Sequence, residues 1–237
     1  MTKRLHLTLL LLAGLILPAV ARASEPTEPY AFTHVVDIDE ETTRSVLLAT
    51  ESAQTASQIV LVQDSVCSFW ELDTCTWRLT FATKCGFGRK GFASASDKVE
   101  GDRKTPTGEY TLTTPFGIAS DPGAIMPYRQ VTSNSYWSGE REDYNTWIEV
   151  EPSTRDMRHS EHLIDYTVSY QYGFFIDYNS DPAVYGRGSA IFLHCKDTNK
   201  WSTAGCIALT SEHTRYLMRN CRPGTRIVIK SASVPEE

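Results

Sequence analysis

Seven short runs rich in Val, Ile, Thr and aromatic residues, each closed off by Gly, Pro, Asn or Asp, constrain this chain more than any other feature: residues 59–62, 77–81, 108–112, 146–150, 172–178, 190–194 and 226–230. Side chains that branch at Cβ or carry a ring fit a pleated, half-buried surface, and the turn formers between them end each run. No segment repeats at the roughly 20 to 50 residue spacing that a solenoid or propeller needs. One stretch breaks the pattern: residues 211–220 open on Ser211 in an N-cap position and read as a short helix. The expectation is a mainly β domain with a few short helices.

At the start of the chain, Lys3 and Arg4 precede an apolar run over residues 7–20, followed by Ala21-Arg22-Ala23. That pattern predicts a secretory signal peptide over residues 1–23, cut after Ala23. The run is shorter than the roughly 20 residues a spanning helix needs, and no later segment is apolar enough to cross a bilayer. The cleaved chain is expected to have no membrane span and to reside in the periplasm, with release into the medium as the alternative. Losing Lys3, Arg4 and Arg22 takes the formal charge from −6 to −9. An acidic body without a Lys/Arg stripe argues against nucleic acid and against anionic membrane surfaces as partners. Residues 24–57, with Glu25-Pro26-Thr27-Glu28-Pro29 near their start, read as a polar lead-in with a helix near residues 40–52. The packed domain is expected over residues 58–230, with a polar tail at 231–237; the oligomeric state is not legible.

Chemistry concentrates in residues 188–209. His194 closes a strand, and twelve residues later Cys206 sits in a Gly-Cys turn, Ser202-Thr203-Ala204-Gly205-Cys206, that leads into apolar residues. Thiol catalysis needs such a set: a thiolate drawn from a thiol of ordinary pKa about 8.5, an imidazole to take its proton, and backbone N–H groups for an oxyanion. Gly205 lets the chain approach a substrate closely. The bland alternative makes Cys206 half of a disulfide and His194 a strand-end residue bonded to backbone. A zinc site from His194, Cys195 and Cys206 lacks the paired Cys-x-x-Cys or His-Glu-x-x-His spacing that would complete it. Residues 101–108, Gly-Asp-Arg-Lys-Thr-Pro-Thr-Gly, form a dense turn cluster. They lack phosphate-loop spacing and on local evidence read as a surface turn.

Taken together and in order, residues 100–110, 188–194 and 203–206 resemble the L,D-transpeptidase (YkuD-type) catalytic domain, over roughly residues 58–230. Tyr144-Asn145, Glu161-His162-Leu163 and Tyr178-Asn179 are weaker matches between them. The resemblance implies a β-sandwich-like sheet around a cleft, acting on peptidoglycan stem peptides without a metal or organic cofactor. It makes Cys206 the nucleophile, His194 the base that activates it and then protonates the leaving amine, and the N–H groups of Gly205 and Cys206, with Ala204, the oxyanion donors. Ser202, Thr203 and Ala204 would line the substrate site. The chain departs from the common family pattern, which reads Ser/Thr-His-Gly-Cys and places Arg or Asn two residues after the cysteine; here Ala204 and Ala208 stand at those positions. Thr-Ala-Gly-Cys looks closer to a divergent subgroup, and the choice of amine or water as acceptor stays open. So do a wall-binding module of the same fold with Cys206 in a disulfide, and a secreted cysteine amidase acting on another substrate.

Other assignments are weaker. His162 and Tyr128 are candidate cleft residues, and Tyr136 and Trp137 could add an aromatic rim. Asp143 and Glu161 are expected to be solvated. All six cysteines lie at or after position 67. With Cys206 a free nucleophile, at most two disulfides can form; Cys67 and Cys75, eight residues apart across a turn, are the most natural pair, and Cys195 either pairs with Cys221 or stays buried.

Overall fold

Asp39 starts the first described helix by accepting the Thr42 N–H at 3.1 Å and the Thr42 hydroxyl at 2.7 Å. This caps α1 (Glu40–Leu48), whose buried Leu47 packs with Ile59, Leu61, Trp70 and Val228. The N–H groups of Glu51 and Ser52, at the start of the one-turn α2 (Ser52–Thr55), are held by the Glu109 carboxylate at 3.1 and 2.7 Å. The second half of the lead-in is thus fastened to the β domain at both helices. The computed structural model describes Phe32, residues 34–151 and residues 154–234. The expected signal peptide, the Pro-containing start of the lead-in and the last three residues of the tail lie outside the described residues.

β1 (Gln58–Gln63), β2 (Val66–Asp73) and β3 (Thr76–Lys84) form an antiparallel meander. β4 (Phe92–Ala93) pairs in parallel with β5 (Thr105–Pro106), which lies within the 101–108 cluster. The long β6 (Gly108–Gly117) follows, then the short β7 (Arg129–Gln130), β8 (Ser135–Ser138), β9 (Thr146–Glu149) and β10 (Glu161–His162). The chain ends with β11 (Gly173–Ile176), β12 (Phe192–Cys195), β13 (Ile207–Leu209), α3 (Ser211–Asn220) and β14 (Arg226–Lys230). The main sheet runs β13-β12-β11-β6-β14-β1-β2-β3, with β7 beside β6. β14 lies parallel to β1, from Ile59 opposite Arg226 to Gln63 opposite Lys230.

A second sheet, β10-β8-β9, packs on the β6-β11-β12 end through aromatic side chains. Trp137 and Trp147 lie against Phe175, with ring centroids 4.6 and 5.6 Å apart, and Phe175 stacks on Phe116 at 4.5 Å. This is the sandwich-like arrangement expected of the chain. Each of the seven predicted runs overlaps a strand, and the structure adds β2, β4, β5, β7, β8, β10 and β13; in β2 the buried Ser68 takes the Trp70 indole N–H at 2.8 Å. Helix α3 is capped by Thr210, not Ser211: the Thr210 side chain accepts the His213 N–H.

The expected Cys67–Cys75 disulfide is not formed, and all six cysteines are free thiols. Cys67 stands opposite Thr83, whereas Cys75 lies beyond the Asp73–Thr76 pair at the far end of the same hairpin. Six strand residues, about 20 Å, separate them, far outside the reach of a disulfide. Cys195 and Cys221 are both buried and unpaired with each other. Among the described residues, no helix is long and apolar enough to cross a membrane.

Candidate active site

β12 carries His194 into the interior opposite Gly173 on β11 and Ala208 on β13. The His194 Nδ1 lies 2.8 Å from the Cys195 carbonyl oxygen. A carbonyl only accepts, so Nδ1 carries the proton and Nε2 keeps its lone pair. Burial holds this imidazole down to about 4, and it is neutral at pH 7. Tyr170 packs edge-on against it, centroids 5.5 Å apart.

Cys206 enters from the turn before β13 and is only 7% exposed. Its Sγ–H donates to the Ala190 carbonyl at 3.1 Å, and its Sγ accepts the Phe192 N–H at 3.4 Å. Burial first, and then the charge of Glu161, pushes this thiol up to about 12. Thiol and imidazole are therefore both neutral at rest.

The turn itself is built from backbone and threonine. Gly205 has φ +155°, and a Cβ there would meet the Ile191 Cδ1 and the Lys104 carbonyl oxygen at 3.0 Å each, so only glycine fits. Thr203 Oγ1 accepts the Gly205 N–H at 3.0 Å and donates to the Cys206 carbonyl at 2.7 Å. The Gly205 N–H is thereby spent inside the turn and leaves the expected set of oxyanion donors. The N–H groups of Ala204 and Cys206 take no acceptor among the described residues.

Thr105 ties the 101–108 cluster to this turn, which corrects its reading as a surface turn. Fully buried, it donates to the Gly205 carbonyl at 2.7 Å and accepts the Gly88 N–H at 2.8 Å. Behind Cys206, Asn145 Oδ1 takes the N–H of Ala190 at 3.0 Å and the Trp137 indole N–H at 2.8 Å, while its Nδ2 donates to the Tyr178 and Asn179 carbonyls. That network fixes Ala190, at φ +53°, whose carbonyl receives the thiol.

Cys206, His194, Gly205, Thr203, Ala204 and Ser202 all line one cleft of about 450 Å³. His162 and Tyr128 do not. His162 stacks on Tyr136 at 4.3 Å and hydrogen-bonds the Ser133 carbonyl and Asp165 on the other face of β10. Tyr128 plugs the space over Gly117 and donates to the Ala119 carbonyl at 2.6 Å. Trp137 lines the cleft, and Tyr136 turns away to His162. Asp143 is held by Arg155 at 2.6 Å and by Ser138.

Glu161, expected to be solvated, is half-buried and lines the cleft instead, because neighbours on a strand point to opposite faces. Its carboxylate accepts the Tyr170 hydroxyl, and burial raises it to about 7. The buried Lys98, also in the lining, is paired with Asp102 at 3.0 Å. Among the described residues no three His, Cys, Asp or Glu side chains are grouped to hold a metal ion.

The family model of the L,D-transpeptidase catalytic domain, YkuD, matches residues 59–229. The chain belongs to this family. A comparison with curated proteins finds no match. Among solved structures of the L,D-transpeptidase kind, one from Stackebrandtia nassauensis is 11% identical with a TM-score of 0.36, covering 74% of this chain and 56% of that one. The helical cell shape determining protein Pgp2 of Campylobacter jejuni is 17% identical with a TM-score of 0.41, covering 74% of this chain and 48% of that one. Bd1075 of Bdellovibrio bacteriovorus is 13% identical with a TM-score of 0.41, covering 76% and 50%. The chain spans about half the length of these structures.

Proposed function

We propose that this L,D-transpeptidase family member is an exported, periplasmic enzyme that modifies peptidoglycan by attacking a stem-peptide L,D amide through Cys206. The observation that carries the reading is the pairing of a free thiol at Cys206 with an imidazole whose Nε2 is unprotonated, in one cleft beside two N–H groups without acceptors. Nε2 of His194 takes the Sγ proton as sulfur bonds the carbonyl carbon, and the N–H groups of Ala204 and Cys206 receive the oxyanion. Collapse breaks the C–N bond; the proton moves from Nε2 to the departing amine, and a thioester remains on Cys206. An incoming amine or water gives its proton back to Nε2, attacks the thioester and regenerates the thiol. The reading in which Cys206 serves a disulfide finds no partner for it in the structure.

The test is intact mass of the protein incubated with a stem tetrapeptide whose third residue is a diamino acid. A mass gain equal to the acyl part, absent in Cys206→Ala and strongly reduced in His194→Gln, supports the reading. An unchanged mass and an intact peptide, with folded protein, overturn it. Product analysis with and without an added amine then tells transfer from hydrolysis.

A further inference from the structure

Glu161 lines the cleft together with the charged Arg89, Glu100, Arg103, Asp197 and Lys200, and the thiol mechanism gives it no task. It lies half-buried in the lining, its hydrogen bond comes from the Tyr170 hydroxyl, and among the described residues no cation pairs with it. Lys98, the buried ammonium of the lining, is already committed to Asp102 and to the Val99 carbonyl at 3.0 Å. The other groups that act on Glu161 do not neutralise it: Glu100 carries the same charge, and Tyr166 and Tyr170 are phenols held protonated by burial. His162 and Asp165 face away and bond each other. A carboxylate so placed also opposes the thiolate on which the proposed reaction depends, since its charge acts on Cys206.

We propose, building on the stem-peptide reading above, that Glu161 binds a primary ammonium of the substrate, carried by the side chain of the acyl donor or by the incoming acceptor amine. The bound ammonium cancels the carboxylate charge, so the thiolate forms when substrate fills the cleft and is suppressed when the cleft is empty. Because Glu161 ionises near pH 7, preference for a charged amine grows as pH rises through that value and fades below it.

Three measurements test this. First, acylation of Cys206 is followed by intact mass, without acceptor, using a stem tetrapeptide with a free side-chain amine and the same peptide acetylated at that amine. If the donor carries the ammonium, acetylation slows wild type about tenfold or more at pH 8, less at pH 5.5, and slows Glu161→Gln by less than about twofold. Second, the split of the thioester between an added primary amine and water is compared in the two proteins. If the acceptor carries the ammonium, Glu161→Gln lowers the amine share by about tenfold while donor acetylation is neutral. Equal behaviour of wild type and Glu161→Gln in both assays overturns the assignment, and the wild-type comparison of free and acetylated donor holds even if the variant is unstable. Third, alkylation of Cys206 by iodoacetamide in the empty enzyme should be roughly threefold faster or more in Glu161→Gln; an equal or slower rate overturns the restraint on the thiol. If wild type is acylated by neither peptide, the stem-peptide reading fails, and the alkylation rates still decide whether Glu161 restrains Cys206.

Discussion

Replacing Thr105 by Val keeps the shape of a fully buried side chain and deletes its hydroxyl. Two partners are then stranded: the Gly88 N–H, now 2.8 Å from Oγ1, and the Gly205 carbonyl, 2.7 Å away. An unsatisfied buried group costs about 1–3 kcal/mol, so with two of them Thr105→Val should lose about 2–6 kcal/mol of stability. For a domain of this size that is roughly a 5–15 °C fall in Tm. Thr105→Ser keeps donor and acceptor and should recover most of the loss. The assay is urea unfolding of wild type and both variants, with the m-value checked for constancy, together with the alkylation rate of Cys206. Because Thr105 holds the carbonyl of Gly205, next to Cys206, the valine variant should also change the accessibility of the thiol while the protein is still folded. A loss below about 0.5 kcal/mol with unchanged alkylation would refute the claim that the 101–108 cluster braces the Gly-Cys turn.

Three further outcomes follow from the site. Thr203→Val should free the Gly205 N–H, remove the hydroxyl from the Cys206 carbonyl and cut acylation at least tenfold with little change in stability, whereas Thr203→Ser should stay within a few-fold of wild type; matched rates would show that the hydroxyl does not set the turn. With Cys75→Ser as background, since Cys75 is the exposed thiol, the iodoacetamide rate at Cys206 should climb tenfold per pH unit from 7 to 9 without levelling, as befits a thiol pushed up to about 12; a plateau below pH 8 would instead reveal a resting thiolate–imidazolium pair. His194, held down to about 4 against an ordinary 6.5, contributes stability that is whole above pH 6.5 and is lost as pH falls toward 4, on the order of 3 kcal/mol. Glu161 slopes the other way, its contribution fading as pH rises from 4.5 through 7, so urea midpoints between pH 5 and 7 should rise less steeply in His194→Gln than in wild type and more steeply in Glu161→Gln.

The strands and the Gly-Cys turn could be read from residue order because both are local matters. Branched residues between turn formers make strands wherever they pack, and a glycine before a cysteine marks a backbone that side chains would block. What pairing decides was not legible. β2 carries Ser68, Glu71 and Asp73 and becomes a strand because β1 and β3 flank it. Glu161 and His162 are adjacent, and only the pleat of a two-residue strand determines that the first enters the cleft and the second leaves it. The hydroxyl of Thr105 meets a carbonyl one hundred residues later, a contact without a local signature. Cys67 and Cys75 looked paired by spacing because a turn was expected between them, whereas the turn is Thr74–Cys75 itself, at the end of β2 far from Cys67.

The position of β14 bears on how the molecule comes into being. β14 separates β1-β2-β3 from β6, β11, β12 and β13, and its neighbour β1 was made more than 160 residues earlier. A chain whose β14 has not yet been made therefore holds two half-sheets with open edges. The join between the halves waits for β14, and a stop a few codons before Arg226 leaves β1-β2-β3 and β13-β12-β11-β6 without the strand that connects them.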